Sequence, residues 1–175
     1  MRAIVVYESM YGNTHRIAEA VAEGLSTAAE TEVVSVHDAS KDRLDTADLV
    51  VVGGPTHTHG MSHDSTRQAA IEAAEEPDAD LDLDPDAAGA GIREWLDALG
   101  PIGGRAAAFD TRRDLTPVLT GRASKGIAKQ LRHHGLELVV KPESFLVTKE
   151  THLEPHQIER ARAWGQHLAQ QAFGR

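Results

Sequence analysis

Residues 3–14 read Ala-Ile-Val-Val-Tyr-Glu-Ser-Met-Tyr-Gly-Asn-Thr. Ala3 to Tyr7 is a short apolar run rich in β-branched residues, the pattern of a strand buried on both faces. Ile17, Val21 and Leu25 then recur at helical spacing, so a helix opens near Thr14. What lies between, Glu8 to Thr14, is a tight strand-to-helix turn that aims backbone N–H groups and the positive end of a helix dipole at one spot. Gly12 can take backbone angles closed to other residues and lets a ligand approach closely. Ser9, Asn13 and Thr14 supply neutral donors of the kind that hold phosphate oxygens. Neither the lysine and second glycine of a P-loop nor the three-glycine dinucleotide fingerprint is present in this turn. Ser, Gly, Asn and Thr also serve any capped turn, so these residues alone leave a phosphate cradle and an ordinary connection both open.

Outward from this turn the same alternation continues. Strand-like runs fall at Val33 to Val36, Leu49 to Val52, Ala106 to Phe109 and Leu138 to Val140, the last continued through Phe145 to Val147. Between them, helical spacing links Ile92, Trp95, Leu96 and Leu99; Ile127, Ala128 and Leu131; and Ile158, Ala161, Trp164, Leu168 and Ala172. Trp164 belongs with the core, and His152, His156 and His167 with the surface. Ser124 stands where an N-cap is expected, Gly135 where a helix stops and Pro155 where the last helix starts. Alternating strands and helices predict a parallel α/β sheet covered on both faces. Glu75 to Asp86 carries seven acids and no base, with Pro77 and Pro85 in it, and reads as an exposed acidic loop. The chain is thus expected to be one domain over residues 1–175, with an acidic inserted loop at about 75–91.

Ser9-Met10-Tyr11-Gly12-Asn13-Thr14 resembles the FMN phosphate loop of the flavodoxin superfamily. Its Ser-Met-Tyr-Gly form looks most like that of flavodiiron flavin domains and of quinone reductases of the tryptophan-repressor-binding-protein type. After the third strand, Gly53-Gly54-Pro55-Thr56-His57-Thr58-His59-Gly60-Met61-Ser62 resembles the loop that passes the isoalloxazine ring in the same superfamily. The resemblance implies a three-layer flavodoxin-like fold with a five-stranded parallel sheet of order 2-1-3-4-5. There the first and third strands are neighbours, and the crevice between them is the switch point where ligands bind. It also implies cofactor contacts from Ser9, Met10, Tyr11, Gly12, Asn13 and Thr14 and from Pro55, Thr56, His57, Thr58, His59 and Gly60. Asp110, Thr111 and Arg112, after the fourth strand, are candidates by position more than by motif. The second loop offers His57 and His59 where electron-carrying flavodoxins usually stack Trp or Tyr. An imidazole there can stack, donate to a flavin carbonyl or carry a proton near neutral pH. His57, His59 and His63 do not have a recognised metal-site spacing.

Whole-chain properties narrow the function further. A net charge of −9 over 175 residues disfavours general nucleic-acid binding. The absence of cysteine excludes disulfides, thiolate zinc sites, iron–sulfur clusters and cysteine nucleophiles. The first apolar run is too short for a signal peptide or a membrane span, so a cytoplasmic setting is expected. From Arg105 to Lys141 eight bases face three acids, which predicts a molecule of two electrical sides. Three functions compete. One is an FMN-bearing electron carrier whose acidic surface steers it to basic redox protein partners. The second is a flavin oxidoreductase using NAD(P)H or a quinone as small-molecule donor or acceptor. The third is a regulatory domain that keeps the fold without flavin. In the first two the flavin does the chemistry, so no catalytic triad or general base is expected.

Overall fold

Alternation within single strands sorts the interior into two layers. In β1 (Arg2–Tyr7) Ile4 and Val6 enter one hydrophobic cluster, while Ala3, Val5 and Tyr7 enter the other. In β3 (Leu49–His57) Val50 and Val52 split from Leu49 and Val51 in the same way, as period-two side chains must when both faces are covered. The computed structural model describes residues 1–174. Its other strands are β2 (Glu30–Ser35), β4 (Gly60–Met61), β5 (Gly104–Arg113), β6 (Leu136–Leu138) and β7 (Glu143–Val147). The helices are α1 (Asn13–Leu25), α2 (Lys41–Leu44), α3 (Asp64–Glu75), α4 (Ile92–Ala98), α5 (Pro117–Thr120), α6 (Ala123–His133) and α7 (Gln157–Phe173).

The sheet runs β2-β1-β3-β5-β6, parallel throughout, with β7 also parallel to β5. This is the expected order 2-1-3-4-5, with the fifth strand delivered in two pieces. β6 pairs with the start of β5 at Gly104 to Ala106, and β7 with its end at Phe109 to Arg113. Buried residues of α1 and α7 join the cluster of Val5 and Phe109; those of α4 and α6 join that of Ile4 and Val52. Trp164 sits in the first cluster as expected, edge-on to Phe109 and Phe145 at ring distances of 6.1 and 6.0 Å. α1 and α7 approach backbone to backbone through Gly24 and Gly165. A Cβ on Gly24 would lie 2.2 Å from the Arg162 carbonyl oxygen, and one on Gly165 2.2 Å from that of Val21.

Several local expectations are corrected. Asp110, Thr111 and Arg112 lie within a ten-residue strand instead of a loop, because β7 pairs with all three and β3 with the first two. Pro55, Thr56 and His57 likewise extend β3, which turns back through Thr58 and His59 into β4. Ser124 is not the cap of α6: the helix begins one residue earlier, and its first N–H groups are satisfied from neighbouring strands. Ala123 N donates to Thr56 Oγ1 at 3.0 Å and Ser124 N to Asp110 Oδ2 at 2.8 Å. Pro155 precedes α7 by two residues, with His156 in a left-handed conformation between them. Gly135, at φ +94°, follows α6 as expected. α3 has no counterpart in the sequence pattern because its buried residue is Arg67, leaving no apolar stripe to read.

The acidic stretch is only partly exposed. Glu75 ends α3, and Asp78, Asp80 and Asp82 stand in solvent, but Asp84 is 7% exposed. Its carboxylate lies 3.1 Å from His15 Nδ1, and its N–H donates to the Met10 carbonyl at 2.8 Å. Tyr7 Oη donates to Asp86 at 2.9 Å, and its ring stacks on His15 at 4.1 Å. Burial, reinforced by that hydrogen bond and by the nearby carboxylates, holds the Tyr7 phenol above its ordinary range.

A candidate cofactor cleft at the carboxyl ends of the strands

The turn after β1 carries one wall of the site. Gly12 is left-handed at φ +85°, and its N–H donates to Ser9 Oγ at 3.0 Å. Among the described residues no side chain caps α1, and no acid lies in its first turn. The 13-residue helix thus brings no acid of its own to its positive end, and the one carboxylate beside that end, Asp84, is buried against His15. The turn is braced from three directions. Tyr11 Oη donates to the Ala70 carbonyl of α3 at 2.7 Å, and Asn13 Nδ2 to the Thr151 carbonyl at 2.6 Å. Thr14 Oγ1 lies 2.7 Å from Thr111 Oγ1 at the end of β5.

The cleft so formed is lined by Ser9, Met10, Tyr11, Asn13 and Thr14 from this turn, by Pro55, Thr56 and His57 from β3, and by Thr111 and Arg112 from β5. Ten of the sequence candidates therefore come together. Gly12 contributes the turn's backbone. Thr58 and His59 form the tip of the β3–β4 hairpin, both at positive φ, and line an adjoining groove. A Cβ at Gly60 would meet nothing within 4 Å. Asp110 stands behind the cleft, fully buried, as the cap of α6; burial raises its pKa, opposed chiefly by the hydrogen bond from the Ser124 N–H. Arg113, Val147 and Thr151 also line the cleft without having been anticipated. Only their place at or just beyond the carboxyl ends of β5 and β7 could have flagged them.

Beneath the hairpin lies a buried polar network. Glu8 accepts from Ser62 Oγ and, at 2.8 Å, from the Ile92 N–H at the start of α4. Arg67 donates to Ser62 Oγ at 2.9 Å and pairs with Glu94 at 3.2 Å. Gly91 leaves the space this needs, since a Cβ there would lie 2.6 to 2.8 Å from the Arg67, Glu8 and Ser62 side chains. The network ties β1, β4, α3 and α4 together and fixes where the hairpin sits.

His57 hangs above that network, its Nδ1 3.2 Å from Thr66 Oγ1. Burial depresses its pKa; Glu8 works against this and Arg67 with it. Just below the ordinary histidine value the unfolded chain therefore binds the proton that the folded chain has already released. His57 then contributes stability that is complete above that value and is lost as pH falls through the depressed one. Denaturant melts at stepped pH are expected to show this loss with a slope of at most about 1.4 kcal/mol per pH unit. In His57→Gln that component should vanish, and an unchanged slope would assign the effect elsewhere.

Two arginines and a histidine line the cleft, and among the described residues no carboxylate does, in a chain whose net charge is −9. Arg112 Nε is buried without a hydrogen-bond partner, although its Nη1 is fixed on the Leu115 carbonyl at 2.6 Å. An orphaned cationic donor, an uncapped helix start and a row of hydroxyls make a donor set that fits an anionic, phosphate-bearing group. Among the described residues no helix is long and apolar enough to cross a membrane.

A family model described as flavodoxin matches residues 5–92. The chain is 42% identical over 59 residues to flavodoxin FldP of Pseudomonas aeruginosa, a match covering 32% of each protein. It is 59% identical over 34 residues to an NAD(P)H dehydrogenase (quinone) of Syntrophus aciditrophicus, 19% of this chain and 17% of that one. The matched stretches thus span about a third and about a sixth of those relatives. Among solved structures, a flavodoxin from the domain Archaea superimposes with a TM-score of 0.66 at 24% identity, covering 98% of this chain and 99% of that one.

Proposed function

The chain belongs to the flavodoxin family, and on that premise we propose that it binds one FMN in this cleft and passes electrons to and from redox partners. The observation that carries this reading is the sign of the cleft: arginine-lined and free of carboxylates, at an uncapped helix start, in an otherwise acidic chain. Ser9, Gly12, Asn13 and Thr14 hold the phosphate, with Met10 and Tyr11 completing the turn. Pro55, Thr56 and His57 flank the ring, and Thr58, His59 and Gly60 close the hairpin beside it. Thr111 and Arg112 border the far side, while Asp110 acts through α6. Bound FMN supplies reversible one- and two-electron chemistry. Beside a bound flavin, Arg112 would favour negative charge and so would raise the potential, opposite to the effect of an acidic surround. His57, whose pKa burial depresses, would offer a hydrogen bond to the bound group without adding a further cation to Arg112 and Arg113.

A second reading, a flavin-dependent NAD(P)H or quinone oxidoreductase, draws support from the short stretch shared with the quinone-linked dehydrogenase. One titration separates the readings. The apoprotein is titrated with FMN by absorbance and fluorescence, then given NADPH and a quinone. Saturable one-to-one binding without reduction by NADPH is expected for a carrier. Rapid bleaching with quinone turnover would move the assignment to the enzyme. Failure to bind would withdraw both and leave a flavin-free regulatory domain.

A further inference from the structure

Leu115, Val118 and Leu119 are three of the five large apolar side chains exposed among the described residues, at 47%, 89% and 63%. Isolated exposed apolar residues are ordinary, but three within five positions form a patch. The patch adjoins the cleft: Leu115 and Leu119 line the groove of Thr58 and His59, which shares Thr56, Arg112 and Arg113 with the cofactor cleft. It is also held in place. Arg112 grips the Leu115 carbonyl, and Gly121, after α5, packs so closely on the hairpin tip that a Cβ would lie 2.1 Å from the His59 carbonyl oxygen.

Its charge has the opposite sign to the chain's. Residues 111–125 hold four bases, Arg112, Arg113, Arg122 and Lys125, against the single acid Asp114. Of the acids of residues 75–86, Asp84 and Asp86 are held at the turn after β1, where they meet Met10, His15 and Tyr7, and Asp80 lies 3.5 Å from His152. We propose that the Leu115–Val118–Leu119 patch is the docking surface for an acidic electron-transfer protein, with the apolar trio as its dry centre and Arg113 and Lys125 at its rim. A basic partner, which net charge alone predicts, would be drawn to the acidic stretch and away from this patch. In a second copy packed patch to patch, the same bases, Arg113 and Lys125, would oppose one another across the contact. Apolar centre and complementary charged rim are the usual anatomy of a transient interface. The partner's redox nature rests on the flavin reading; its charge and its footprint do not.

Calorimetry on the full chain, with and without FMN, tests this with an acidic [2Fe–2S] ferredoxin and basic cytochrome c as probes. Ferredoxin is expected to bind at about 20 mM salt and to weaken about tenfold or more by about 300 mM. Val118→Glu, which lines neither cleft, should weaken it about tenfold or more with FMN affinity unchanged, and Lys125→Glu should flatten the salt dependence. Three results would overturn the proposal: no ferredoxin binding at low salt, binding that ignores Val118→Glu, or cytochrome c being the probe that Val118→Glu releases. Sedimentation showing a dimer that Val118→Glu dissolves would overturn it in favour of a second copy. If FMN fails to bind while ferredoxin shows the expected pattern, the flavin reading falls and the surface stands.

Discussion

Gly12→Val is expected to weaken FMN binding by about a hundredfold or more, close to 3 kcal/mol, while the chain stays folded. At φ +85° Gly12 occupies the left-handed region, which costs an L-residue about 1–2 kcal/mol and a β-branched one more. Inside the protein the added Cβ would meet only Asp84 Oδ2, at 4.0 Å. The damage therefore falls on the turn's geometry and on the ligand's approach, leaving the core intact. Riboflavin provides the internal control. If the turn cradles the phosphate, FMN affinity collapses in the variant and riboflavin affinity hardly moves. Thr14→Val should weaken FMN in the same direction by removing the hydroxyl that faces Thr111 Oγ1. Unchanged FMN affinity in both variants would remove this turn from the site.

The second large effect concerns stability. Gly24→Ala puts a methyl group 2.2 Å from the Arg162 carbonyl oxygen and 2.8 Å from the Gln166 nitrogen, both backbone atoms of α7. Backbone cannot rotate aside as a side chain can, so α1 and α7 must separate. That separation loosens a layer in which Ile17, Val21, Leu25, Trp164 and Leu168 are packed. Overpacking of this kind costs about 1–3 kcal/mol, and the upper end is expected where no flexible atom yields. For a chain of this size that lowers the melting temperature by about 6–12 °C. Alanine normally favours a helix interior over glycine by about 1 kcal/mol, so propensity predicts the reverse sign. A melt in which Gly24→Ala gains stability would show that the crossing relaxes freely.

Much of the fold was legible because its signals are local. A five-residue apolar run beside a Ser-Gly-Asn-Thr turn needs nothing distant to be a strand and a helix start, and repetition of the unit implies the sheet. The order 2-1-3-4-5 came from the resemblance carried by the first two turns, and the pairings of β1, β3 and β5 agree with it. What was not legible depends on partners far away in the chain. Asp110 and Arg112 read as loop residues until β7, some thirty residues later, pairs with them. Arg113 and Val147 reach the cleft through the same pairing, and Thr151 through the turn that follows β7. α3 escaped because what it buries is a guanidinium, whose partners Ser62 and Glu94 lie outside the helix. Asp84 looked solvent-bound because nothing near it in sequence announces His15.

The caps of α6 bear on how the chain assembles. A helix that starts on its own serine has a first N–H group satisfied from within its own segment. Here the first N–H groups wait for oxygens of Thr56 and Asp110, the former 67 residues away. α6 therefore gains its leading turn only after β3 and β5 have closed side by side, late in folding, when most of the loop-closure entropy has been spent. The same dependence persists in the native state. The leading turn of α6 is coupled to the strand ends that carry the cleft, so breathing of that turn and opening of the cleft belong to one cooperative unit.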